Sequence, residues 1–135
     1  MIQVAIIVAA LMGPSTACLA GYPSVSTEFG WRSAVFLGTV ISERREPATA
    51  IFDQPGITYL VRVDKVFKGY LGTTVELFSE NTNAEFAMEA DKKYLLFVYR
   101  DNGRRIVDNC GNSEVFSSES ATLKQVRALA ARVPK

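Results

Sequence analysis

Histidine is absent from the 135 residues. Its loss removes the commonest general base and the commonest metal ligand, which lowers the standing of both catalytic and zinc-site readings. An excess of one charge is also lacking. Fifteen Lys and Arg face 14 Asp and Glu, a formal net of +1, so no summed field draws the chain onto nucleic acid or an anionic membrane. No apolar run reaches the ~20 residues that span a bilayer. Cysteine is scarce, with Cys18 and Cys110 ninety-two positions apart. One bridge between them would tie the start of the chain to its far end and would suit an exported, oxidised protein. Two alternatives stand beside it: free thiols in a cytosolic protein, or a lipid-modified Cys18, although Ser15-Thr16-Ala17 offers no large aliphatic residue ahead of the cysteine.

What is present begins with the apolar run Ile2 to Met12, ended by Gly13 and Pro14 and followed by the small residues Ser15, Ala17 and Ala20. That is the form of a signal-peptide h-region and cleavage zone, although Met1 to Gln3 carries no positive charge. Residues 1–17 are therefore read as a signal peptide, cut after 17 or 20, and 18–135 as a single domain that is secreted or periplasmic. A buried N-terminal strand or helix is the competing reading.

Gly21 to Arg32 is rich in turn formers and is expected to be an irregular arm or one short helical turn. Strands follow. Ser33 to Glu43 places Val35, Leu37, Thr39 and Ile41 on one face and Phe36 and Val40 on the other, with Gly38 marking a bulge or coil. Arg44 to Gly56 reads as a loop. Ile57 to Lys68 alternates Ile57, Tyr59, Val61 and Val63 against polar residues until Val66 and Phe67 break parity, which predicts a bulge or strand end near Lys65. Thr74 to Ser79, Lys93 to Arg100 and Arg104 to Asp108 complete five strands, the last two joined by a turn at Asp101 to Gly103. Leu123, Val126, Ala130 and Val133 then recur at helical spacing, capped by Ser118 or Ser120 and stopped by Pro134. Five strands, a coiled first strand and a closing helix predict an all-β fold with a C-terminal helix, a five-stranded Greek-key OB-fold barrel.

Four segments in order, Ser33 to Ile41, Val63 to Gly69, Lys92 to Phe97 and Asp108 to Gly111, together resemble the bacterial members of the TIMP-like or netrin-like (NTR) domain family. The resemblance covers most of the chain after the leader. It implies that Cys18 corresponds to the second cysteine of the family's Cys-x-Cys pair and bonds Cys110, leaving Thr16 where the zinc-chelating cysteine would be. The connector Asn81 to Glu85 holds no cysteine to be the first one's partner, so inhibition by the animal mechanism is not implied. Cleavage after Ala17 would nevertheless make Cys18 a free N-terminus.

Other chemistry is sparse. Glu76, Glu80, Glu85, Glu89 and Asp91 read as a solvated acidic loop rather than a cation site. Arg44-Arg45 and Arg104-Arg105 are short basic spots, and Tyr59, Phe67 and Phe78 read as core rather than as bases' stacking partners. Leu19, Ala20, Gly21, Tyr22 and Trp31 form a candidate partner-contact arm; the competing expectation is that Tyr22 and Trp31 pin the arm to the domain. The functional expectation is an exported, non-enzymatic protein-binding module, with a metalloproteinase inhibitor acting through Cys18 as the alternative. No cofactor, metal, nucleic acid or membrane span is expected. The partner is an extracytoplasmic protein, a metallopeptidase being one candidate, and the domain is expected to be monomeric.

Overall fold

The computed structural model describes residues 18, 21–49 and 55–133. The expected signal peptide, Leu19, Ala20 and Pro134 lie outside the described residues. Among the described residues the chain is mostly β, with six strands and two helices: α1 (Val25–Trp31), β1 (Ala34–Glu46), β2 (Gly56–Lys68), β3 (Thr74–Glu80), β4 (Lys93–Asp101), β5 (Arg104–Ile106), β6 (Glu114–Val115) and α2 (Ala121–Arg132). The strands run in the order β1-β2-β3-β5-β4, and β4 pairs back onto β1, closing a ring of five. All ring pairings are antiparallel except β3–β5, which meet at Phe78 and Ile106. β6 is too short to have been legible and adds to β4 opposite Tyr94 and Leu95.

Alternation along the strands makes two cores. Inward residues Phe36, Val40, Tyr59, Val61, Leu77 and Leu96 fill the ring. The opposite face of β1 and β4 offers Val35, Leu37, Leu95 and Phe97, which pack against Val25 and Phe29 of α1 and Leu123 and Val126 of α2. Both helices thus cover one side of the ring, each contributing the apolar positions of a short amphipathic stripe. Ser120 is the cap of α2, accepting from Leu123 N at 3.0 Å. Val133 does not join the stripe: it is the C-cap and is half exposed, because the helix ends one residue before it.

The first two strands are bent rather than straight. Their register shifts between Val35 and Phe36, Leu37 and Gly38, and Val40 and Ser42. The extra residues Asp64 and Phe67 on β2 flank Lys65, so parity breaks there by bulging and the strand continues to Lys68. A Cβ on Gly38 would lie 2.5 Å from Val61 Cγ1 and 2.9 Å from Phe36 Cε2. Gly38→Val is therefore expected to cost about 2 to 4 kcal/mol, through overpacking added to the loss of the bend. A denaturant midpoint equal to that of the parent would contradict this.

Three boundaries differ from expectation. β1 runs on to Glu46 because Arg44, Arg45 and Glu46 pair with Thr58, Ile57 and Gly56, so the connecting loop begins later than its charges suggest. β5 stops at Ile106, since Val107 turns inward, fully buried, and donates to Phe78 O. The arm contains a helix of seven residues rather than a single turn.

Candidate functional site

The arm is fixed at several points along its length. Cys18 is bonded to Cys110 with Cα atoms 5.3 Å apart, closing the 92-residue separation. Gly21 N donates to Cys18 O at 2.8 Å, with Gly21 at φ +78°. Ser24 then caps α1, accepting from Thr27 N. Val25 and Phe29, one helical turn apart, enter the second core.

The centre of the attachment is Glu28, only 1% exposed. Its Oε1 accepts from Asn112 N at 2.6 Å and Asn112 Nδ2 at 2.9 Å; its Oε2 accepts from Arg32 Nε at 2.7 Å. Asn112 Nδ2 also donates to Pro23 O, so one asparagine beyond Cys110 holds the arm on both sides of its cap. A buried carboxylate is tolerated only with such charge-assisted partners. Gly111 lies so close to that carboxylate that an added Cβ would overlap it. Sequence reasoning passed over Glu28, although Val25/Phe29 and Glu28/Arg32 at i,i+4 behind a serine cap signal a helix.

Arg32 continues the network, its guanidinium 4.9 Å from the Tyr99 ring centroid. Burial, then the negative charge of Asp108 and a hydrogen bond to it, push the Tyr99 phenol well above its usual range. Asp108 in turn accepts from Cys110 N at 2.9 Å. Because the folded value lies above the unfolded one of about 10, the stabilisation is complete below that pH and is lost as pH rises through the folded value. Tyr99→Phe protein should lose less stability than the parent between roughly pH 9 and pH 12. Equal losses in urea titrations across that window would contradict the assignment.

What the fixed arm presents is aromatic. Trp31 is 69% exposed and Tyr22 54% exposed, so neither pins the arm; Val25, Phe29 and Glu28 do that instead. Of the candidate contact residues, Gly21, Tyr22 and Trp31 are therefore on the surface, while Leu19 and Ala20 lie outside the described residues. Lys68 Nζ donates to Phe29 O at 2.7 Å and Gly30 O at 3.0 Å, fastening the carbonyl end of α1 beside Trp31. Burial lowers the Lys68 pKa.

Elsewhere the groups are paired or scattered. Arg44 bonds Glu46 at 2.7 Å and lies 3.7 Å from Glu76, and Arg104 stacks 3.9 Å above the Phe78 ring, lining a groove of about 600 Å³ across the outer face of β1–β3 and β5. Hydrogen bonds from Thr58 and Arg44 hold the Glu46 carboxyl below its usual range. Tyr59 is buried in the ring core and Phe67 packs against the second core, whereas Phe78, buried under Arg104, belongs to neither core and lines the groove. Glu89 pairs with Lys92, apart from Glu76. Among the described residues no group of three or more His, Cys, Asp or Glu could hold a metal ion, and no helix is long and apolar enough to cross a membrane.

No protein-family model matches the chain, and no curated protein matches it.

Proposed function

We propose that the chain is an exported, non-enzymatic protein-binding module of the TIMP-like or netrin-like OB type, with the arm as its contact surface. The ring order β1-β2-β3-β5-β4, its single parallel junction and a first strand bent at Gly38 support the Greek-key OB reading. The Cys18–Cys110 bridge supports export, since such bonds persist in oxidising compartments. The observation that carries the binding role is the exposure of Trp31 and Tyr22 on a segment held by the bridge, by Glu28 and by Lys68. Large aromatic surface on a preorganised backbone binds a partner with little further loss of conformational freedom.

The arm's geometry counts against zinc chelation through Cys18. Its carbonyl already accepts from Gly21 N and its side chain is tied to Cys110, whereas chelation needs amine and carbonyl aimed together at one open metal position. A photo-cross-linking residue at Trp31 of the exported protein should give one discrete adduct with an extracytoplasmic protein, and the same residue at Arg127 should give none. Absence of an adduct at Trp31, or equal labelling at both, would overturn the reading. Micromolar protein should leave a panel of zinc peptidases active; inhibition abolished by acetylating a Cys18 N-terminus would put the inhibitor in its place.

A further inference from the structure

Beside the arm lies a second cavity, of about 460 Å³, between the β2–β3 turn and the β4–β5 hairpin. Ser33, two residues after Trp31, forms one wall with Ala34; Lys68, Tyr70 and Leu71 form another; Arg100 and Arg105 close it. Three cations line it and no carboxylate does. Arg100 and Arg105 are directly opposed in the β4–β5 ladder, an arrangement that like charges disfavour, and among the described residues neither forms an ion pair. Tyr70 stands 99% exposed on a turn anchored by the residues before it: Gly69, at φ +99°, packs where a Cβ would lie 2.6 Å from Ser33 O, and Lys68 donates to the α1 carbonyls.

We propose that this cavity docks an acidic, extended segment of the partner protein, its carboxylates on Arg100 and Arg105 and its apolar side chains against Tyr70 and Leu71. The proposal rests on the protein-binding reading and names the chemistry of the partner. Two guanidiniums on adjacent strands offer forked donors to carboxylates, and the uncompensated positive charge of the lining selects that sign. The carbon surface of Ala34, Leu71 and Tyr70 between the cations suits a polypeptide carrying both carboxylates and apolar groups. Continuity with Trp31 through Ser33 and Lys68 lets one partner cover both surfaces.

The test uses fluorescence anisotropy of the whole oxidised protein with a labelled peptide of alternating Glu and Leu, and with the same peptide carrying Gln for Glu. The Glu peptide should bind, more weakly as salt rises, and the Gln peptide should bind roughly tenfold less. Arg100→Glu with Arg105→Glu should reduce Glu-peptide binding by at least about tenfold, while Arg127→Glu leaves it unchanged. Arg105→Glu alone should not lower the thermal midpoint, because it converts an opposed like-charge pair into an attractive one. Equal affinity for both peptides, or binding indifferent to the double reversal, would overturn the proposal. Binding of sulfated dextran but not the peptide, lost in the same double variant, would move the cavity to a polysaccharide and overturn it equally. Failure here with the Trp31 adduct retained defeats only the acidic-segment assignment; loss of that adduct as well defeats the binding-module reading.

Discussion

Replacing Cys18 and Cys110 by serine, or reducing them, is expected to lower unfolding free energy by about 4 to 5 kcal/mol, on the order of 15 °C in the thermal midpoint. The closed segment spans a separation of 92 residues, so the cross-link removes a large share of the unfolded chain's freedom. A small domain has only about 5 to 15 kcal/mol in all. The ring should survive, because its two cores do not depend on the sulfur atoms, but the arm should loosen before the strands do. Single replacement of Cys18 should cost nearly as much as the double. A loss below about 1 kcal/mol would mean that native contacts already confine the arm without the bridge.

The second large effect is at Glu28. Glu28→Ala is expected to cost about 3 to 5 kcal/mol, because it strands the largely buried Arg32 guanidinium and leaves Asn112 N without its acceptor. Glu28→Gln keeps the shape and one acceptor for Asn112 but turns an amide N–H toward Arg32 Nε, so its cost should remain above about 1 kcal/mol. Because Glu28 and the bridge restrain the same segment, their effects should not add: with the cysteines replaced, Glu28→Ala should cost measurably less than in the parent. Strict additivity in chemical denaturation would show that the arm is held at two independent points.

Much of the sheet was legible because its residues obey period two. Tyr59 and Val61 against Thr58 and Arg62, and Phe36 and Val40 against Val35 and Leu37, are sorted correctly by alternation alone. Ser120 and the Leu123/Val126 spacing likewise identify α2. The arm was harder to read. Its attachment depends on Asn112, 84 positions from Glu28, and no local pattern reveals which distant backbone N–H will donate to a buried carboxylate. Composition misled at two places for related reasons. Turn formers around Val25 and Phe29 masked a helix that tertiary contacts complete, and the charges of Arg44 to Glu46 masked a strand end that pairs with β2, itself paired there with β3. The opposed arginines, 100 and 105, were invisible as a pair until the β4–β5 register was known.

An arm held in place yet displaying its aromatics is reported on at once by the chain's only tryptophan. Time-resolved anisotropy of Trp31 in the oxidised protein, with and without acrylamide, is the direct measurement. The arrangement predicts ready quenching together with depolarisation dominated by tumbling of the whole domain. Weak quenching would mean that Trp31 is packed away, and fast local depolarisation would mean that the arm is loose; either result would contradict a preorganised contact surface.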